Sequence, residues 1–201
     1  MPASSSYIAL LMLIVPLSVF AQGSKGIPSN LEEVKPVTAV DTPVPSDASL
    51  KGPNAEQVKR GRYLVELIGC GACHTDGAIV GEPNSARLLA GSDVGIAYTS
   101  PLRDEHPGVV YAPNLTPDPK TGLSSWTDEQ VAAAIRTGVS RHGTLTVMSW
   151  PLYARMSDQD VYSIVAYLRS IPAVEHRVPA KVPPGTKAPA PYVHFSVYRS
   201  K

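Results

Sequence analysis

Apolar residues recur at helical spacing in three stretches of the chain, each bounded by residues that start or stop helices. The first holds Val58, Tyr63, Leu64, Leu67 and Ile68, which suit one face of a helix running from about Ala55 to just before Cys70. Gly61 lies inside it. A glycine there costs about 1 kcal/mol relative to alanine, so close approach by another element is expected at that point. The second stretch opens with Trp126-Thr127-Asp128-Glu129-Gln130-Val131. Thr127 is a natural N-cap, Gln130 completes a capping box, and Trp126 can staple onto Val131. Val131, Ala134, Ile135 and Val139 form its expected inward stripe. The third opens with Met156-Ser157-Asp158-Gln159-Asp160-Val161, with Ser157 as N-cap and Met156 placed to staple onto Val161. Val161, Ile164, Val165 and Leu168 form its buried stripe. Arg169 complements the carboxyl end and Ile171-Pro172 stops the helix.

Outside these stretches the period fails. Residues 22–54 are rich in Pro, Ser, Val and Thr and read as a tether or wrapping arm. The segment between His74 and Trp126 is rich in glycine and proline and long for a connection inside a domain, so it must pack against something. Residues 176–201 are again Pro-rich, with Tyr192, Phe195 and Tyr198 as the large groups able to dock them. No repeat appears, and no alternating run is long enough to argue for a sheet. The expected architecture is all-α: a few helices over residues 55–175, long loops, and irregular arms at both ends.

Tyr7 to Ala21 form an apolar run too short to span a bilayer comfortably, and Val19 and Ala21 suit a cleavage site. Residues 1–21 therefore read as a signal peptide and the protein as periplasmic. No Lys or Arg precedes the run, so an uncleaved anchor is the alternative, and only that would give membrane contact. Charge adds little: 18 basic against 17 acidic residues give +1, with no broad cationic surface for nucleic acid and no acidic tail.

The chemistry lies in Cys70-Gly71-Ala72-Cys73-His74. Residues at i, i+3 and i+4 share one face of a helical turn. Two thiols so placed can form thioethers to the vinyl groups of one porphyrin, while the adjacent imidazole reaches the iron. A thioredoxin-like pair lacks its strand-turn-helix context here, a zinc site wants two more soft ligands, and a disulfide gives no role to the following histidine. One covalent haem c is the implied cofactor. A methionine thioether as sixth ligand raises the potential and suits electron transfer. Two methionines lie beyond the signal segment: Met156, already a helix staple, and Met148, in the irregular loop Gly143 to Pro151. Met148 is the preferred ligand; Met156, His142 and an open site are the alternatives.

These residues give the chain a resemblance, over about Ala55 to Val174, to the class I c-type cytochromes, and within them to the periplasmic haem subunits that serve alcohol, aldehyde and sugar-acid dehydrogenases. The matching pieces are Arg60-Gly61-Arg62-Tyr63-Leu64, the haem motif, Ala112-Pro113-Asn114-Leu115-Thr116-Pro117-Asp118, Trp126 to Gln130, the Met148 loop, and Met156 to Asp160 leading into Ala166 to Pro172. The resemblance implies a cytochrome c fold in which the first and last helices cross, Gly61 and Tyr63 meeting Tyr167 and Leu168. It implies a hydrogen bond from His74 to the carbonyl of Pro113, and Asn114, Trp126 and Arg136 as candidates to meet the haem propionates. Relatives usually carry proline directly after the ligand methionine; here Ser149 follows and the proline comes at Pro151. Residues 76–110 have no counterpart, and are expected to shield a haem edge or meet a partner.

The functional reading is a non-catalytic monohaem carrier of single electrons between a dehydrogenase or quinol-oxidising complex and a downstream oxidase or cytochrome. A tightly bound subunit of a dehydrogenase is one alternative. A haem enzyme or gas sensor with an open sixth position, assisted by His106 or His142, is another.

Overall fold

Two long helices cross at the centre of the computed structural model, which describes residues 34–141 and 143–195. Helix α2 (Ala55–Leu67) and helix α6 (Asp158–Ser170) make the most extensive pairing in the fold. They touch where expected: a Cβ on Gly61 would lie 1.8 Å from the carbonyl oxygen of Ser163 and 2.8 Å from the Cβ of Tyr167. The buried face of α2 is Val58, Gly61, Leu64 and Val65. Tyr63 and Leu67, expected on that face, are instead 52% and 64% exposed, and the Tyr63 ring lies under the Arg60 guanidinium at 5.5 Å. The stripe is rotated because α6 meets α2 along the glycine, which lets the backbones approach.

Helix α4 (Asp128–Thr137) starts with the complete Thr127–Gln130 capping box and ends at Gly138 in the left-handed region. Its buried residues are Val131, Ala132 and Ile135; Val139 lies beyond the helix end and is 58% exposed, so it leaves the expected stripe. Ser157 caps α6 through the amide of Asp160, and Arg169 donates to the carbonyls of Leu123 and Trp126 and to Asp128. These elements enclose the main core with Leu89, Leu123 and Ile171. Two short helices lay below the reach of periodicity: α1 (Asp47–Lys51), capped by Ser46, and α5 (Trp150–Tyr153), with a proline in its first turn. Helix α3 (Cys70–His74) is separated from α2 by Gly69 in the left-handed region, which turns the chain sharply.

The arms are docked. Before α1, Thr42 is buried and bonds Glu66 at 2.5 Å, the Tyr167 hydroxyl donates to the Pro43 carbonyl at 2.8 Å, and Val40 packs on Gly71. At the other end a small sheet has the order β2-β1-β5: β1 (Gly95–Ala97) pairs antiparallel with β2 (Val109–Val110) and parallel with β5 (Tyr192–Val193). The expectation of no sheet thus fails locally, because strands of two or three residues are too short to alternate. A two-stranded hairpin, β3 (Val139–Ser140) with β4 (Gly143–Thr144), leads into the Met148 loop. Val109, Tyr111 and Val182 form a second buried cluster that Tyr192 covers, while Phe195 is 65% exposed. Tyr198, the proposed signal segment 1–21 and His142 lie outside the described residues. Among the described residues no helix is long and apolar enough to cross a membrane.

Candidate haem site

Cys70, Cys73 and His74 occupy the single turn of α3, both thiols free and half-buried. The turn is fixed from outside. Gly71 is pressed against Val40, the amide of Gly91 donates to the His74 carbonyl at 2.8 Å, and the amide of Leu89 donates to the buried Thr75 hydroxyl at 3.1 Å. Burial pushes the Cys70 thiol up to about 12 and raises that of Cys73. A redox-active dithiol needs the reverse, a thiol whose pKa is depressed so that the thiolate forms. The thioredoxin-like alternative therefore lacks both its context and its electrostatics.

His74 Nδ1 lies 2.8 Å from the Pro113 carbonyl oxygen. A carbonyl only accepts, so the proton sits on Nδ1 and Nε2 carries the lone pair. Burial lowers the His74 pKa, which keeps the ring neutral and able to ligate. The hydrogen bond expected from the sequence is present.

Asn114 takes a different place from the one expected. Its side chain is buried, donating to the Val174 carbonyl at 2.7 Å and the Thr121 hydroxyl at 3.0 Å, and accepting from the amide and hydroxyl of Thr116. Both amide protons are used inside the protein, so the residue ties the Pro113 loop to the chain after α6 rather than reaching for a propionate. Trp126 is partly buried against the main core with the Arg141 guanidinium over its ring at 4.3 Å. Arg136 differs. Its Nη2 donates to the Met156 carbonyl and pairs with Asp158 at 2.6 Å, while its Nε is buried without a hydrogen-bond partner among the described residues. Such a group costs about 1–3 kcal/mol, and a carboxylate brought by a bound cofactor would satisfy it.

Met148 is half-buried and packs on the main core, as do Met156, Cys70, Leu115 and Tyr153. Five residues after Met148, the Tyr153 hydroxyl is raised mainly by burial and then by the nearby Cys70 and Cys73 sulfurs. Helix α5, which follows the Met148 loop, therefore lies near the two thiols. Paired thiols on one turn, a neutral imidazole with Nε2 spare, a thioether packed on the same core as Cys70 and an orphaned guanidinium N–H together fit haem c. His106 sits elsewhere, its ring bonded to the Glu105 carbonyl.

Residues 58–172 match the cytochrome c family. The chain is also similar to the fructose dehydrogenase cytochrome subunit of Gluconobacter japonicus, with 36% identity over 119 residues, 57% of this chain and 22% of the relative. The cytochrome c subunit of the alcohol dehydrogenase (quinone) of Gluconobacter oxydans is 34% identical over 112 residues, 55% of this chain and 20% of the relative. For the gluconate 2-dehydrogenase cytochrome c subunit of Pantoea cypripedii the figures are 34% over 116 residues, 57% and 23%. The chain thus spans about a fifth of the length of these relatives. It belongs to the cytochrome c family: a mostly helical protein whose cofactor is haem c.

Proposed function

We propose that the chain is a periplasmic monohaem electron carrier, with residues 1–21 as the export signal and residues 55–175 as the haem domain. Cys70 and Cys73 form the thioethers, His74 Nε2 and the Met148 sulfur are the axial ligands, and the Arg136 Nε–H meets a propionate. The sequence holds two cysteines in one motif, which supports a single haem. The bound iron supplies a one-electron couple. The protein holds the His74 ring at a fixed tilt, keeps it neutral, and fills the sixth position so that small ligands are excluded.

The observation that carries this reading is the Nδ1 bond from His74 to Pro113, which leaves Nε2 free to ligate iron. The reduced protein is expected to be low-spin and slow to bind carbon monoxide, and Met148→Ala to be high-spin or readily ligated. An unchanged spectrum and potential in Met148→Ala would overturn the axial assignment. Electrons come from a dehydrogenase and pass to another cytochrome or an oxidase. The relatives are named as dehydrogenase subunits, which favours a second reading in which the chain stays bound to such an enzyme. Copurification from the cell envelope separates the two: a dehydrogenase retained through gel filtration selects the subunit, a small free protein the carrier.

A further inference from the structure

His176, a residue of the Pro-rich tail, is 8% exposed and sits in a cluster drawn from three separated segments. Its Nδ1 lies 2.9 Å from the Ala90 carbonyl oxygen, and its Nε2 lies 3.2 Å from both carboxylate oxygens of Asp93 and 3.1 Å from Nη1 of Arg87. Arg87 Nη1 also donates at 3.0 Å to Asp93 and to Asp76, and Asp76 accepts from the Asp93 amide. The His176 amide bonds the Thr121 hydroxyl at 3.0 Å.

The cluster clamps the ground beneath His74. Ala90 adjoins Gly91, whose amide holds the His74 carbonyl, and a Cβ on Gly91 would lie 2.9 Å from Ala112 O and from Asn114 N, the residues flanking Pro113. Ser92 donates to Ala112 and Leu115 donates to Leu89. Residues 89–92 therefore bridge the backbone of His74 to that of Ala112 and Leu115, on either side of the carbonyl that orients the imidazole. His176 holds this bridge at the Ala90 carbonyl.

The clamp has two proton states. The Ala90 carbonyl fixes a proton on Nδ1, so Nε2 is either a lone pair accepting from Arg87 or an N–H donating to Asp93, and both partners are already in place. Two carboxylates against one guanidinium leave a net charge of −1 to receive the imidazolium. Farther out stand the Lys120–Glu175 pair at 2.8 Å, Asp118 on the loop before Thr121, and exposed Arg177 on the tail.

We propose that His176 is a positioning residue for the axial imidazole, and that its Nε2 gains a proton from water when the haem gains an electron from the redox partner. This rests on the assignment of haem to Cys70, Cys73 and His74. The added electron removes one positive charge on the imidazole side of the site, which stabilises the imidazolium at His176, and linkage makes the effect reciprocal. The potential therefore falls as pH rises through the His176 titration and is flat on either side.

Potentiometric titration of the full-length holoprotein between about pH 5 and 8, the range in which histidine changes charge, tests this. Wild type is expected to show the fall, and His176→Gln, which can still donate to Ala90, to lose it in that window. Asp93→Asn keeps the imidazole and an acceptor but removes the negative charge that favours the imidazolium, so the window should move to lower pH; this variant carries the test if His176→Gln does not mature. A wild-type potential flat across the window, the same pH profile in His176→Gln, or an unmoved window in Asp93→Asn would overturn the role of His176. Covalent haem and a low-spin spectrum in that same sample would leave the haem assignment standing. Release of haem under denaturing conditions would instead sink the assignment.

Discussion

Gly61 is the contact point of α2 and α6, and the space around it is closed by backbone rather than by side chains. A methyl group there would overlap the Ser163 carbonyl oxygen, at 1.8 Å, so the helices must separate to admit it. Gly61→Ala should gain helix propensity of about 1 kcal/mol and still lose stability on balance, because overpacking against rigid backbone costs about 1–3 kcal/mol or more. Urea unfolding of the holoprotein measures the sign; a raised midpoint would show that the crossing is slack. This glycine was legible in the sequence because its local cost demanded a tertiary reason. Asn114 was not: it looks the same whether it forms a turn, meets a cofactor or binds Val174, whose carbonyl lies 60 residues away in sequence. Arg136 likewise shows its orphaned Nε only once the fold has buried it. His176 gave no signal at all, since its partners Arg87, Ala90 and Asp93 lie 83 to 89 residues away.

Among the elements, α2, α4 and α6 could be read because each carries a stripe at helical spacing together with a stop or cap. Residues 40–46, α1 and α5 could not, since a docked extended strand of chain has no period and a helix of four or five residues completes barely a turn. The amino-terminal arm is held on α2 by chemistry that has a pH signature. Glu66 has its carboxyl held below its ordinary value of 4.5, first by the Thr42 hydroxyl and then by Arg62. A depressed carboxylate contributes stability above its unfolded pKa and loses it as pH falls through the folded value. Glu66 is 44% exposed, so screening limits the contribution to about 1 kcal/mol or less. Thr42→Val should therefore lower stability near neutrality and flatten the decline below about pH 4.5. Unfolding midpoints across that range check it; parallel curves for the two proteins would mean that the arm is held by packing and by the Tyr167 bond to Pro43 alone.

At the scale of the whole molecule, the matched region 58–172 contains the haem motif, the Met148 loop and the crossing helices, yet the second cluster depends on chain beyond it. Val182 bonds Val109 through both backbone groups, at 3.0 and 2.8 Å, Tyr111 donates to the Ala190 carbonyl, and β5 completes the small sheet. The cluster meets the segment that supports α3 at Gly91, where Val178 packs. Ending the chain at Arg177 would remove Val178, Val182, Ala190 and Tyr192 but leave the His176 clamp. Loss of these buried apolar groups should cost about 3 kcal/mol, felt first as local opening rather than as loss of the haem site. The truncated protein is expected to keep covalent haem and a low-spin spectrum, while amide exchange across residues 95–111 rises by orders of magnitude and exchange in α2 and α6 changes little. If α2 and α6 accelerate equally, the two clusters unfold as one unit, and the tail has become part of the cooperative core rather than a cover laid over it.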